Sequence, residues 1–216
     1  LNVRLGYWIR NPGDATDRVR FREWLRYWSV HSTLEFLGMN SEDDAMVLLS
    51  DGGHHENLGI LSLARRKVPL IVCVDAGADP EHAFADLGHT LHLLREEGWD
   101  HEGLDIAPMC PTRESSKWDA RVVTEPVRTF ELVSRDGSTR LRVVLVKSSM
   151  TGDIPFDVRS YAESNAAFPH ETTADQFFDA AQFDAYYVTG QHLADKASEV
   201  TRAALESLTG PKMELS

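Results

Sequence analysis

An uninterrupted apolar run at residues 45–49 constrains the fold of this chain more than any other stretch of its sequence. Because no position in the run is polar, it predicts a strand covered on both faces, as in the parallel sheets of α/β proteins. Asp51 follows at the carboxyl end of this strand, where open α/β sheets place their ligands. Gly52 and Gly53 then allow the backbone to turn sharply or to approach a ligand closely.

A second apolar run, residues 70–74, also ends on an acid, Asp75. Between the two runs, Asn57 is predicted to cap a helix that ends before Pro69. A crossover of this kind makes the two strands parallel, so that Asp51 and Asp75 would lie on the same edge of one sheet. The alternative is that Asp-Gly-Gly forms an ordinary turn and that both acids only cap helices or stabilise loops.

The remaining sequence predicts further helices and strands. Residues 127–133 alternate in polarity, and residues 141–146 give a stronger strand pattern after the turn Asp136-Gly137-Ser138, which together indicate a β-hairpin. Apolar residues at helical spacing predict helices at residues 17–37, 81–97, 156–165, 174–190 and 192–208. The fold class is therefore α/β, and residues 191–216 are expected to form a terminal surface helix.

Four separated motifs occur along the chain in this order: Leu49-Ser50-Asp51-Gly52-Gly53, Glu56-Asn57-Leu58-Gly59, Asp75-Ala76-Gly77-Ala78-Asp79 and the segment 168–178. Together they resemble the C-terminal half of bacterial patatin-like phospholipases, over residues 1–190. The resemblance implies a mainly parallel sheet flanked by helices, present here as its C-terminal portion. It also implies a lipid acyl hydrolase that uses a Ser-Asp dyad and needs neither metal nor cofactor.

The resemblance gives individual residues their expected roles. Asp51 corresponds to the catalytic aspartate of the dyad, and Gly52, Gly53 and Asn57 support its loop. His54 and Asp75 would lie around the site, behind the reacting groups.

The nucleophile of the dyad is absent from these residues. No G-x-S-x-G motif occurs in the 216 residues, and Ser148 and Ser149 lack both the flanking glycines and a nearby histidine. We therefore expect the chain to be part of a longer enzyme, inactive by itself, whose N-terminal half supplies the serine. The expected partners are that half, a lipid ester and a membrane surface.

Composition excludes some classes of function. The net charge of −12 disfavours a nucleic-acid-binding protein, which needs a basic face to displace phosphate counterions. No signal peptide or long apolar span is visible in this segment, so we expect a location on the cytoplasmic side or at a membrane. Cys73 and Cys110 are expected to be reduced thiols.

Two alternatives remain open from the sequence. Asp51, His54, His55, Glu56 and Asp75 offer carboxylate and imidazole groups that suit zinc or manganese, which would make a metal-dependent hydrolase. The chain could instead be a non-catalytic interaction domain that retains the fold. In that case the aromatic face of the predicted helix at residues 17–37 would be its docking surface, through Phe21, Trp24 and Trp28.

Overall fold

The structure, a computed structural model, describes residues 6–11, 33, 36–37, 39, 46–111, 121–172 and 177–209. The chain divides into two compact units, residues 1–57 and 58–216. The predicted helix at residues 17–37, with its aromatic face, falls almost entirely outside the described residues.

Eight strands and four α-helices are described. The strands are β1 (Gly6–Arg10), β2 (Met46–Ser50), β3 (Leu70–Asp75), β4 (Trp99–Glu102), β5 (Val122–Val123), β6 (Val127–Ser134), β7 (Arg140–Lys147) and β8 (Met150–Thr151). The helices are α1 (Ile60–Arg65), α2 (Ala85–Glu96), α3 (Phe156–Ser164) and α4 (Ala180–Thr209).

In the first unit, β2 pairs with β1 in an antiparallel two-stranded sheet. The prediction that β2 is covered on both faces is wrong for the described residues: Met46 is buried, but Leu49 is 60% exposed. An apolar run favours a strand, but whether both faces are covered depends on which elements pack there, and this is not encoded in the run itself.

The second unit contains a mixed four-stranded sheet in the order β3-β7-β6-β4. β3 runs parallel to β7, whereas β7–β6 and β6–β4 are antiparallel pairs. The α/β class is thus confirmed, as is the hairpin of β6 and β7. Its turn is fixed by Gly137, whose φ of 70° requires glycine, and by Asp136, whose carboxylate accepts the Ser138 N–H.

The prediction that β2 and β3 share one parallel sheet, with Asp51 and Asp75 on a common edge, is wrong. β2 pairs with β1, and β3 finds its parallel partner in β7, about 70 residues later in the sequence. The crossover rule holds for strands of the same sheet, and sequence proximity does not guarantee that two strands belong to one sheet.

Helices cover both faces of the four-stranded sheet. Side chains of α1 and α2 form a core with one face, including Ile71 and Leu145, whereas Leu193 and Ala197 of α4 pack on Val144 and Val146 of the other. α4 is a single 30-residue helix, so the predicted break near Gly190 is wrong, and so is the idea that residues 191–209 merely form a surface helix. Burial of its apolar stripe offsets the cost of an internal glycine, about 1 kcal/mol.

Candidate functional site

Asp51 follows β2 directly and begins a 3₁₀ turn at Gly52–His54. Its Oδ1 accepts a hydrogen bond from the Gly53 N–H at 3.0 Å, and its side chain is exposed. This bond fixes one carboxylate oxygen, and among the described residues Oδ2 has no hydrogen-bond partner. The arrangement holds a carboxylate at a strand end with one oxygen available to another group.

The two glycines of this turn differ in their structural importance. A Cβ atom at Gly53 would lie 2.9 Å from Asn57 Oδ1, which is closer than real contacts allow, whereas a Cβ at Gly52 would meet nothing within 4 Å. The Asn57 side chain therefore lies close against Gly53 in this loop. It does not cap a helix: α1 begins after Gly59, whose φ of 74° is left-handed, and no side chain caps it.

His54 also belongs to this turn. Its Nδ1 lies 2.9 Å from the Ser50 hydroxyl, and the His55 N–H donates to the Gly52 carbonyl. Within the part of the chain that the structure describes, no three His, Cys, Asp or Glu side chains are grouped as a metal site requires. The metal-dependent alternative built on Asp51, His54, His55 and Asp75 therefore has no ligand set there.

Asp75 lies in a different environment, at the carboxyl end of β3 and only 3% exposed. It faces Lys147, its register partner on β7, and Lys147 Nζ donates to Asp75 Oδ2 at 2.9 Å. The ammonium also donates to the Gly77 carbonyl at 3.1 Å. Because Lys147 is itself only 2% exposed, the two side chains form a buried ion pair that ties the ends of two parallel strands together.

The loop after β3 wraps around this pair. The Asp79 carboxylate accepts the N–H groups of Ala83 and Phe84 and lies 3.9 Å from Lys147 Nζ. Burial acts to raise the pKa of Asp79, but these two N–H groups and Lys147 outweigh it and leave that pKa below its usual range. A cavity of about 70 Å³ lies beside the pair.

Two histidines lie against the same loop. His170 Nδ1 accepts the Asp79 N–H at 3.4 Å, and the His82 ring meets the His170 ring edge-on at 5.0 Å. Burial lowers the pKa of His82, and burial with the nearby His82 and Lys147 lowers the pKa of His170 to about 4. His82 Nδ1 has no hydrogen-bond partner among the described residues. Both rings are therefore neutral at pH 7.

We call Asp75, Asp79, His82, Lys147 and His170 the Lys147 cluster. The sequence motifs pointed to Asp75 as a neighbour of the Asp51 site but gave no indication of Lys147, the centre of the cluster. The available signal was a lysine that ends an apolar strand, Leu141 to Val146, at a position facing the core. Such a lysine predicts a buried carboxylate partner, but the sequence does not say which one.

Ser148 and Ser149 follow Lys147 directly. Ser149 is fully buried and its hydroxyl has no partner among the described residues, and Ser148 lines an apolar groove beside α4. The structure places no histidine beside the hydroxyl of Ser148 or Ser149 in the residues that it describes. Neither serine therefore has the neighbouring base that activates a nucleophile.

Comparison of the chain with family models, curated proteins and solved structures found no match. None of the helices in the described ranges combines the length and the apolar character that crossing a bilayer requires. Two local arrangements are therefore the candidates for function: the Asp51 turn in the first unit and the Lys147 cluster in the second.

These arrangements support different chemistry. The exposed carboxylate of Asp51 is fixed by a backbone N–H and open to an incoming hydroxyl, as a general base must be. The carboxylate of Asp75 is already bound to Lys147 and closed to solvent. Of the two acids that the sequence singles out, only Asp51 is in a position to exchange a proton with a substrate or a nucleophile.

Proposed function

We propose that this chain is the aspartate-bearing part of a patatin-like lipid acyl hydrolase, with Asp51 as the base of a Ser-Asp dyad. The observation that carries the proposal is the exposed Asp51 carboxylate, held by the Gly53 N–H at the end of β2. The four sequence motifs that resemble the family support it. The proposal includes a sheet of the patatin type, of which the described strands form a part.

The other components of the reaction come from outside these 216 residues. Acyl transfer needs a nucleophile, a base and an oxyanion site, and the chain supplies the base. The serine and the oxyanion donors would belong to an N-terminal half of the same protein, which is the expected partner. The substrate class is a lipid ester, which would bring the enzyme to a membrane surface on the cytoplasmic side.

In this mechanism Asp51 accepts the serine proton as the hydroxyl oxygen attacks the ester carbonyl. The hydroxyl must come within ~2.6–3.2 Å of the carboxylate for this transfer. Gly53 supports the geometry because its N–H holds Oδ1 and its lack of a Cβ leaves room for Asn57. The protonated Asp51 gives this proton to the oxygen of the leaving alcohol as the acyl-enzyme forms. Its carboxylate then takes a proton from the attacking water and returns it to the serine oxygen as the fatty acid is released.

The test compares two aspartates in the full-length protein. Asp51→Asn keeps the shape of the side chain and removes the base, and we expect hydrolysis of p-nitrophenyl butyrate to fall at least ~100-fold, the lower end of what a general base contributes. The matched control is Asp136→Asn. Asp136 likewise accepts the N–H two residues ahead in an exposed turn, so its replacement tests the local structural effect alone.

A fluorophosphonate probe locates the nucleophile independently. We expect it to label one serine outside the 216 residues, and Asp51→Asn should slow that labelling. Labelling of Ser148 or undiminished turnover by the Asp51→Asn variant would contradict the proposal. A full-length protein without any hydrolysis or labelling would favour the non-catalytic interaction domain.

A further inference from the structure

An apolar groove of about 610 Å³ runs between α4 and the ends of β3 and β7, entirely within the second unit. Val72 and Val74 of β3 line one side and remain 46% and 67% exposed. Leu193 and Leu205 of α4 line the other side. This volume lies within the range of about 300–1,000 Å³ that is typical of small-ligand sites.

The packing of α4 keeps this groove open. Leu193 and Ala197 are buried against Val144 and Val146 on the neighbouring strand, β7. If α4 moved toward β3 to cover Val72 and Val74, it would lose these core contacts. The groove is therefore a consequence of the way in which the 30-residue helix α4 packs on the sheet.

One basic residue, Arg202 of α4, lines this apolar groove. Its guanidinium is exposed and makes no hydrogen bond or ion pair with the described residues. Several other arginines of the second unit, such as Arg140 and Arg142, are bound to carboxylates instead. In a chain of net charge −12, an unpaired guanidinium beside an apolar groove offers a local site for an anion.

We propose that this groove binds a long-chain fatty-acid carboxylate, with the tail against Val72, Val74 and Leu193 and the head at Arg202. Apolar walls and a single cationic group match the two halves of such an amphiphile, and Thr201 lines the same groove. A fatty acid is also the class of product that lipid ester hydrolysis releases, and this link alone rests on the proposed function.

The experiment measures binding to the full-length protein by isothermal titration calorimetry. The two probes, dodecanoate and dodecyltrimethylammonium, share one tail and carry opposite head charges, and both are kept below the concentration at which they self-associate. We expect saturable binding of dodecanoate at one site and at least tenfold weaker binding of the ammonium compound, because the charged contact to Arg202 is lost.

Three variants separate the contributions of head and tail. Arg202→Gln should weaken the binding of dodecanoate about tenfold and should not weaken the binding of dodecyltrimethylammonium. Val74→Asp should weaken the binding of both probes. Leu205→Gln makes the same test from α4, in case the Val74→Asp variant is unstable. Arg159→Gln, which changes an exposed arginine of α3 that does not line the groove, should leave both affinities unchanged.

The proposal would be overturned if neither probe bound saturably, or if both bound equally well to the wild-type chain and to Arg202→Gln. Either result would mean detergent-like adsorption or an empty packing gap. The Asp51→Asn chain should bind dodecanoate like wild type. If dodecanoate did not bind in the groove while hydrolysis still depended on Asp51, this inference would be refuted and the proposed function would stand.

Discussion

Replacement of Lys147 by methionine should strongly destabilise the second unit. Lys147 and Asp75 are 2% and 3% exposed, and their charged atoms are 2.9 Å apart. Methionine retains most of the side-chain volume but leaves the Asp75 carboxylate buried without its cation, held only by the Gly77 N–H. Breaking a buried pair from one side costs about 3–5 kcal/mol, a large part of the 5–15 kcal/mol by which domains are usually stable.

The assay is urea unfolding of the 216-residue chain at pH 7, followed by circular dichroism. A surface pair serves as the matched control. Lys196 binds Asp153 at 2.6 Å, but the side chains are 33% and 63% exposed, so Lys196→Met should cost only about 0–1 kcal/mol. The comparison separates the effect of burial from that of losing a lysine.

A double-mutant cycle tests whether the cost comes from the unpaired charge. Lys147→Met combined with Asp75→Leu removes both charges and should recover much of the stability lost in the single variant, since an apolar pair can replace a buried ion pair. The reasoning would be refuted if Lys147→Met cost less than about 1 kcal/mol with an unchanged denaturant slope. That outcome would show that water reaches the pair in solution.

Two further predictions concern the histidines of the Lys147 cluster and the Asp51 turn. His170 has its pKa lowered to about 4, whereas an unfolded histidine titrates near 6.5, so the unfolded chain takes up the proton first. The free energy of unfolding should therefore fall by about 2 kcal/mol as the pH falls from about 6.5 toward 4, after allowance for the partial exposure of His170. His170→Gln should remove this part of the pH dependence of the urea midpoint. In the full-length protein, Gly53→Ala should lower ester hydrolysis more than Gly52→Ala does, because a Cβ at Gly53 would lie 2.9 Å from Asn57 Oδ1 and displace that side chain, whereas a Cβ at Gly52 would meet nothing within 4 Å. Equal losses in both variants would show that the turn does not position Asp51.

The elements that the sequence predicts well are those set by neighbouring residues. The β6–β7 hairpin follows from alternating polarity around Asp136 and Gly137, and α3 begins after Pro155 and ends close to its predicted end. These signals lie within a few residues of the element that they define. Pairing between distant strands has no such local signal, and for this reason the predicted β2–β3 sheet was wrong.

Burial was also hard to predict from pattern alone. Phe177 and Phe178 are large apolar residues inside the predicted helix at residues 174–190, yet they are 94% and 46% exposed and precede α4. Apolar character shows which side chains gain by burial, but the surface that covers them is contributed by other parts of the chain. The same limit applies to Leu49 of β2.

Asp51 and Asp75 illustrate this limit at the level of function. Each acid ends an apolar strand and is followed by small residues, and each accepts the N–H two residues ahead, at 3.0 Å in both cases. Locally the two arrangements are the same. The difference arises from β7, which places Lys147 opposite Asp75 in the register and binds its second oxygen, while no described residue does so for Asp51. Lys147, which is 72 positions from Asp75, decides that the Asp75 carboxylate is bound to a cation and not available to another group. The motif alone therefore could not separate the structural aspartate from the candidate base.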